Sequence, residues 1–163
     1  HAVPVYCNAK VERRLRMAFD YAFSDEAQTH PGAAPAVDLK SIQSDPIRIL
    51  GAEITPIPLK HGPKFDVLGF RIGDVAYCTD VSEIPDSSWD LLQGLDTLVL
   101  DALREDPHPT HFSIAEAVEV AQKLGVRQTY FTHCACRLDY ESVNSVLPSG
   151  VAVGYDGLQI ELT

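Results

Sequence analysis

The chain has 163 residues, 45% of them hydrophobic, and its 13 Lys and Arg against 23 Asp and Glu give a formal net charge of −10. This length predicts one ordinary domain with a sizeable core, and the apolar content excludes an intrinsically disordered chain. No apolar run is long enough to span a membrane, and the negative charge disfavours nucleic acid as a partner.

The first 46 residues predict a strand, a helix and a long loop. Val3–Tyr6 is a short apolar run typical of a buried strand, and Asn8 is a plausible N-cap for a helix over 9–22. Residues 24–46 contain a cluster of Pro, Gly and Ala, which predicts a variable loop. Such a loop would suit a cover over a cleft or an interface in a homo-oligomer.

From Ile47 onward, short strands alternate with short helices, which predicts an α/β fold with mixed sheets. Pro56 and Pro58 restrict the strand over 53–59 to an edge or margin of its sheet. The remaining predicted elements are a hairpin over 67–79 with a Gly73-Asp74 turn, a helix over 88–93, a strand over 97–100, a helix over 114–124 capped by Ser113 and Glu116, a strand over 128–132, a helix over 139–147, and a closing strand pair over 151–155 and 158–162.

Polar residues follow four of these strands at the point where each strand stops: His61, Asp80, Asp101 and His133. Sites of α/β sheets lie at the carboxyl ends of strands, and imidazole and carboxylate groups suit zinc or manganese. Each residue taken alone fits a turn or cap equally well, and Asp101 is open between a turn-forming and a functional role. The recurrence of the pattern favours a metal site.

A histidine-rich segment precedes the predicted helix over 114–124. His111 lies two residues before the Ser113 cap, close to a helix N-terminus that favours anions, and it suits donation to a phosphoryl oxygen or protonation of a leaving group. His108 fits a solvent-exposed loop residue better. Arg104 is a candidate for binding an anionic substrate, although a plain surface role fits it equally well.

The four cysteines are too few for a disulfide scaffold, so we expect a reducing cytoplasm. Cys7 and Cys78 are predicted to be small buried hydrophobic residues. Cys134 and Cys136 follow His133, but no second Cys pair is present to complete a structural zinc site. A thiol activated by His133 is possible, though we favour metal ligation by that histidine.

Seven motifs occur in a fixed order along the chain: Leu59-Lys-His61-Gly62, Gly69-Phe-Arg-Ile-Gly73, Tyr77-Cys-Thr-Asp80, Leu98-Val-Leu-Asp101-Ala-Leu-Arg104, Pro109-Thr-His111-Phe-Ser113, Thr132-His133 and Tyr155-Asp-Gly157. Together they resemble the metallo-β-lactamase superfamily. Within it they are similar to the phosphodiesterase branch that includes the cyclic-phosphate phosphodiesterase of the carbon–phosphorus lyase pathway and relatives of tRNase Z. The resemblance covers roughly residues 50–163, and residues 1–23 match more loosely.

The resemblance implies part of a four-layer αββα sandwich with two divalent metal ions, zinc or manganese, at one edge. His61 and His133 match metal ligands, and Asp80 matches the carboxylate that bridges both metals. His111 matches a histidine that acts as general acid or stabilises the phosphoryl oxyanion. The implied activity is metal-dependent hydrolysis of a small phosphodiester, because two cations can generate a hydroxide and clamp the reacting oxygens.

Two departures from the family pattern qualify this reading. Cys136 stands where relatives often have a second histidine, and the signature His-x-His-x-Asp-His does not occur in the sequence. We therefore expect a single partial domain, the carboxyl-terminal half of the fold, with the missing amino-terminal half preceding His1 or on another chain. The alternatives are a non-catalytic half-domain that binds a partner chain, and a mononuclear zinc protein that uses His61, Asp80 and His133, with or without Cys136.

Overall fold

The computed structural model describes residues 1–24, 30 and 32–161. The chain divides into two compact units, residues 1–45 and 46–163, and each is described by itself. Within the described residues, no helix is both long and apolar enough to cross a membrane.

The first unit contains two parallel strands and one helix: β1 (Val3–Cys7), α1 (Ala9–Ala18) and β2 (Val37–Ser41). The Asn8 side chain accepts a hydrogen bond from the Val11 amide, as its position predicts. The predicted helix over 9–22 is too long, because α1 ends at Ala18 and Asp20–Ala22 forms a separate 3₁₀ turn. β1 is less buried than expected, with Val3 62% exposed.

The loop predicted over 24–46 contains a strand, which corrects that prediction. β2 pairs with β1 along its whole length, from Val3 opposite Val37 to Cys7 opposite Ser41. Parallel pairing with β1 supplies the hydrogen-bond partners that a short, partly polar segment needs in order to form a strand. Positions 25–29 and 31 of the predicted loop lie outside the described residues.

The second unit is built on a seven-stranded mixed sheet with strand order β3-β4-β5-β6-β7-β8-β9. The neighbours from β3 to β6 are antiparallel, and those from β6 to β9 are parallel. The strands are β3 (Ile47–Ile49), β4 (Ala52–His61), β5 (Phe65–Ile72), β6 (Val75–Cys78), β7 (Thr97–Asp101), β8 (Gln128–Thr132) and β9 (Val151–Val153), and the helices are α2 (Ile114–Leu124) and α3 (Tyr140–Val146).

The two prolines of β4 lie where the strand is paired on one side, which agrees with the predicted sheet margin. β3 pairs with β4 only over Ala52–Ile54, whereas β5 pairs with it from Ile54 to His61. Pro56 and Pro58 lie beyond Ile54, the last residue of β4 that pairs with β3. Their missing amide hydrogens therefore cost no hydrogen bond to β3. The β5–β6 hairpin has the predicted turn, and Gly73 takes the positive φ of 59° that the turn requires.

Two predicted elements of the second unit are wrong. Residues 88–93 form no α-helix but part of two 3₁₀ turns, Asp86–Ser88 and Asp90–Leu92. Arg71 Nη1 donates hydrogen bonds to the Leu91 and Gln93 carbonyls at 2.8 Å each. A side chain that is distant in sequence thus supplies the hydrogen-bond donor for the carbonyls at the end of this short segment.

The closing strand pair is also absent: β9 ends at Val153, and no strand forms over residues 158–161. Instead, the Leu158 amide closes a tight turn onto the Tyr155 carbonyl at 3.0 Å. Residue 162 of the predicted pair lies outside the described residues.

The core of the second unit lies where α2 and the 3₁₀ turns pack with the sheet. Cys78, Leu98 and Leu100 are completely buried, and Ala117 and Val120 of α2 belong to the same cluster. The predicted capping box of α2 is present, and Gly125 ends the helix in the left-handed conformation. This packing fixes the ends of β6, β7 and β8 relative to one another.

Candidate metal centre

The four strands that precede the predicted site residues all run in the same direction. β6, β7 and β8 are mutually parallel, and β4 has the same direction because two antiparallel pairings separate it from β6. Their carboxyl ends therefore meet at one edge of the sheet, as the sequence predicted. His61 and Asp101 are the last residues of β4 and β7, whereas Asp80 and His133 follow β6 and β8.

The backbone is strained at two of these positions. Asp80 has a φ of 55° and His133 a φ of 60°, in the left-handed region that side chains other than glycine rarely adopt. Such strain persists only where the surroundings enforce it, and it is concentrated at functional sites.

His61 and His133 each lie near Asp80, but they belong to two different ligand groups. The His133 Nε2 atom lies 3.5 Å from the Asp80 Oδ1 atom, too long for a hydrogen bond and short enough for two ligands of one ion. Ligand atoms of His61, Asp80 and His111 lie within 4.8 Å of one another, and so do those of Asp101, His111 and His133. The two groups share His111, which lies between the other histidines.

His61 is held with one ring nitrogen available. Its Nδ1 lies 2.8 Å from the Thr110 carbonyl, which can only accept, so Nδ1 carries the hydrogen and Nε2 keeps its lone pair. A carbonyl behind a histidine is the usual support of a metal-ligating imidazole. Gly62 follows with a φ of 66°, and a Cβ there would lie 2.6 Å from Thr110 Cγ2, so the close approach of these loops requires glycine.

His111 forms a buried pair with Asp101. The Asp101 Oδ2 atom accepts from His111 Nδ1 at 2.7 Å and from the Val81 amide at 3.1 Å. Burial raises the pKa of Asp101, and the hydrogen bond from His111 counteracts part of that rise. The Asp101 Oδ1 atom is buried without a hydrogen-bond partner in the described part of the chain.

The sequence left the role of Asp101 open, and the structure shows that it contacts both backbone and histidine. The signal available in the sequence was its place at the end of a buried run, Leu98-Val-Leu-Asp101. The return of the chain from Asp101 to His111 is a long-range feature that strand spacing does not reveal.

Arg104, a predicted substrate-binding residue, and His108, predicted to be a solvent-exposed loop residue, lie in the loop between β7 and α2. Arg104 directs Nε to the Asp106 carbonyl at 3.1 Å and Nη2 to the Pro107 carbonyl at 2.7 Å. His108 lies beside His111, with 5.2 Å between ring centroids. Desolvation, with the nearby Arg104 and His111, lowers the pKa of His108, so its neutral form is favoured.

The cysteines near the site are free thiols that do not join either ligand group among the described residues. Cys134 is partly buried, and desolvation together with Asp101 raises the pKa of its thiol. A raised pKa disfavours the thiolate that nucleophilic attack requires. Cys7 and Cys78 are buried as predicted, and burial raises the pKa of Cys78 to about 12.

The donor set fits divalent metal ions. Imidazole nitrogens and carboxylate oxygens are the ligands of catalytic zinc and manganese sites, and an unpaired buried carboxylate oxygen lies in the same cluster. The predicted ligands His61, Asp80 and His133 number fewer than two four-coordinate ions would need. Further donors for a second ion would have to come from elsewhere.

Residues 1–134 match the family described as the beta-lactamase superfamily domain. The chain therefore belongs to this superfamily, and its fold and resemblance to the phosphodiesterase-like branch agree with that assignment. An octanoyltransferase from Porphyromonas gingivalis is 26% identical over 158 residues, which is 95% of this chain and 31% of that protein.

Two solved structures show the same architecture. A diphosphatase of the PhnP family is 40% identical with a TM-score of 0.86, and the match covers 97% of this chain and 57% of that chain. The short form of human tRNase Z is 13% identical with a TM-score of 0.66, and the match covers 99% of this chain and 68% of that one. The chain thus spans under a third of the curated relative and little more than half of the diphosphatase.

Proposed function

We propose that this chain supplies part of a dinuclear metal centre that hydrolyses a small phosphodiester. The observation that carries the proposal is a pair of ligand groups at one sheet edge, His61 with Asp80 and His133 with Asp101, which share His111, and the Nδ1 of His111 is hydrogen-bonded to the buried Asp101 carboxylate. In this proposal the chain is the carboxyl-terminal half of the fold, and an amino-terminal half completes the ligand set. The −10 charge and free cysteines suit a small substrate and a cytoplasmic location.

His111 is the proton donor of the proposed reaction. Asp101 accepts the Nδ1 hydrogen at 2.7 Å, so the proton to be transferred is held at Nε2. Zinc or manganese, when bound, would activate water and withdraw charge from the phosphoryl oxygens. His61, Asp80 and His133 would hold the metal ions, and Nε2 of His111 delivers its proton to the departing alkoxide.

Hydrolysis at phosphorus is favoured over other hydrolytic reactions by two observations. The diphosphatase that is 40% identical acts, by its name, on a diphosphate. An alkoxide released from a phosphodiester is a strong base that benefits from an acid such as His111, whereas Cys134, with its raised pKa, is a poor nucleophile.

The test is a substrate panel on the intact protein, loaded with zinc or manganese. Bis(p-nitrophenyl) phosphate is expected to be hydrolysed, a chelator is expected to abolish the activity, and nitrocefin and a p-nitrophenyl thioester are expected to turn over at least about 100-fold more slowly. Preferential hydrolysis of the lactam or the thioester, or diester hydrolysis that survives full metal removal, would refute the proposal.

A non-catalytic half-domain is the second candidate. It is favoured by the small number of predicted ligands that the described chain itself supplies, since three side chains cannot complete two metal sites. This alternative predicts an intact protein that binds a partner or forms a homo-oligomer and turns over no member of the panel. The mononuclear alternative, in which His61, Asp80 and His133 hold a single zinc ion, predicts one equivalent of bound metal per chain instead of two.

A further inference from the structure

The loop between β7 and α2 holds its side chains in fixed positions beside the metal centre. Two hydrogen bonds join the beginning of this loop to its end. The Leu103 amide donates to the Phe112 carbonyl, and the Ile114 amide donates to the Arg104 carbonyl, both at 2.9 Å. The Phe112 amide also donates to the Val81 carbonyl at 2.9 Å. A loop closed in this way presents the residues at its tip in a defined geometry.

Three groups in this loop are suited to an anionic substrate, and two of them are already engaged. Arg104 directs two nitrogens to carbonyls of its own loop. At the N-terminus of α2, the Ser113 amide donates to the Glu116 carboxylate at 2.8 Å, and the Glu116 amide donates to Ser113 Oγ at 3.3 Å. A carboxylate of the protein thus occupies the helix end where an external anion would be favoured.

His108 is the third group, and its tautomer follows from its contacts. Its Nδ1 atom accepts from the Thr110 amide at 3.3 Å and lies 3.2 Å from Thr110 Oγ1. A ring nitrogen that accepts an amide hydrogen carries no hydrogen of its own, so the neutral ring bears its proton on Nε2. No residue in the described ranges hydrogen-bonds this Nε2.

Thr110 links His108 to the metal centre. Its amide fixes His108, while its carbonyl accepts from Nδ1 of His61 at 2.8 Å. One residue therefore sets the orientation of two imidazoles near His111, whose ring centroid lies 4.6 Å from that of His61 and 5.2 Å from that of His108. A surface histidine without a function would not need its ring to be fixed by the Thr110 amide.

We propose that His108 is a substrate-binding residue whose Nε2–H donates a hydrogen bond to a non-bridging phosphoryl oxygen, and that Thr110 is its positioning residue. The proposal rests on the phosphodiester function proposed above and names a group that recognises the phosphoryl anion. A neutral N–H donor lets an acidic protein bind this anion without placing a further buried cation in the site.

The experiment is calorimetric titration of inorganic phosphate into the metal-loaded intact protein and its variants. His108→Ala is expected to weaken phosphate binding by about 10-fold to 100-fold, the effect of losing a hydrogen bond to a charged group. His108→Gln, whose amide nitrogen lies near the position of Nε2, is expected to stay within about threefold of the parent protein. Thr110→Val keeps the backbone contacts and removes only Oγ1, so it is expected to give a smaller loss than His108→Ala.

Metal content and the unfolding midpoint are measured on each variant. Parent-like phosphate binding by folded His108→Ala would overturn the proposal, as would equal losses in His108→Gln and His108→Ala or a loss of metal in His108→Ala. Phosphate binding that depends on His108 in a protein that hydrolyses no diester would support this assignment and refute the proposed function. Diester hydrolysis combined with phosphate binding that is unchanged in His108→Ala would support the proposed function and refute the assignment of His108.

Discussion

Replacing Asp80 with Asn in the intact protein is expected to lower metal occupancy by at least one equivalent and turnover by at least about 100-fold. Asp80 lies in one ligand group with His61 and His111, and its Oδ1 atom is 3.5 Å from the Nε2 atom of His133. Asn retains the shape of the side chain but removes the negative charge and one ligand oxygen. Loss even of a residue that supports a ligand costs about 10-fold to 100-fold, so loss of a central ligand costs at least as much.

Asn is the appropriate replacement because Asp80 has a φ of 55°. Asp and Asn tolerate this left-handed conformation better than Ala, so the variant separates loss of a ligand from backbone strain. Asp90→Asn is the matched control, since Asp90 is exposed in a 3₁₀ turn outside both ligand groups. Metal analysis after gel filtration is the measurement. Asp80→Asn with full metal occupancy and activity would contradict the assignment of Asp80 as a ligand.

His111→Ala is expected to lower kcat by about 10²-fold to 10⁴-fold while metal content stays unchanged. The proton donor is lost, whereas His61, Asp80 and His133 remain in place. Steady-state kinetics on a protein of verified metal content are the measurement.

Ser113→Ala is the control for His111→Ala, because it changes the same loop without removing an imidazole. Loss of the Ser113 side chain from the capping box is expected to cost about 1 kcal/mol of unfolding free energy and to leave kcat within about threefold. Metal loss in His111→Ala, with intrinsic chemistry restored when metal is added back, would show that His111 is a ligand and not the acid.

The sequence was informative where a local pattern determines the structure. A strand followed by a polar residue predicted the four strand ends to within two residues, and the shared direction of β4, β6, β7 and β8 explains why these polar residues lie at one sheet edge. The capping box and terminal glycine likewise defined both ends of α2. These features depend on a few neighbouring residues and on the geometry of a sheet edge.

The predictions that were wrong concern contacts between distant segments. β2 forms because β1 is available to pair with it, and the segment over 88–93 adopts 3₁₀ turns whose end carbonyls are taken by Arg71. The pairing of His111 with Asp101 and the support of His61 by Thr110 also depend on a loop that returns to the sheet. Residue spacing alone does not determine how such a loop closes.

The central claim is that His61, Asp80 and His133 are ligands of a centre of two divalent ions. The most direct measurement is an anomalous-difference map at the zinc absorption edge, from crystals of the intact protein grown with zinc. The account predicts two zinc peaks at this sheet edge, with Nε2 of His61, the Asp80 carboxylate and Nε2 of His133 each about 2.0–2.2 Å from a peak. A map in which zinc lies elsewhere, or in which any of these three side chains contacts no peak at full zinc loading, would contradict it.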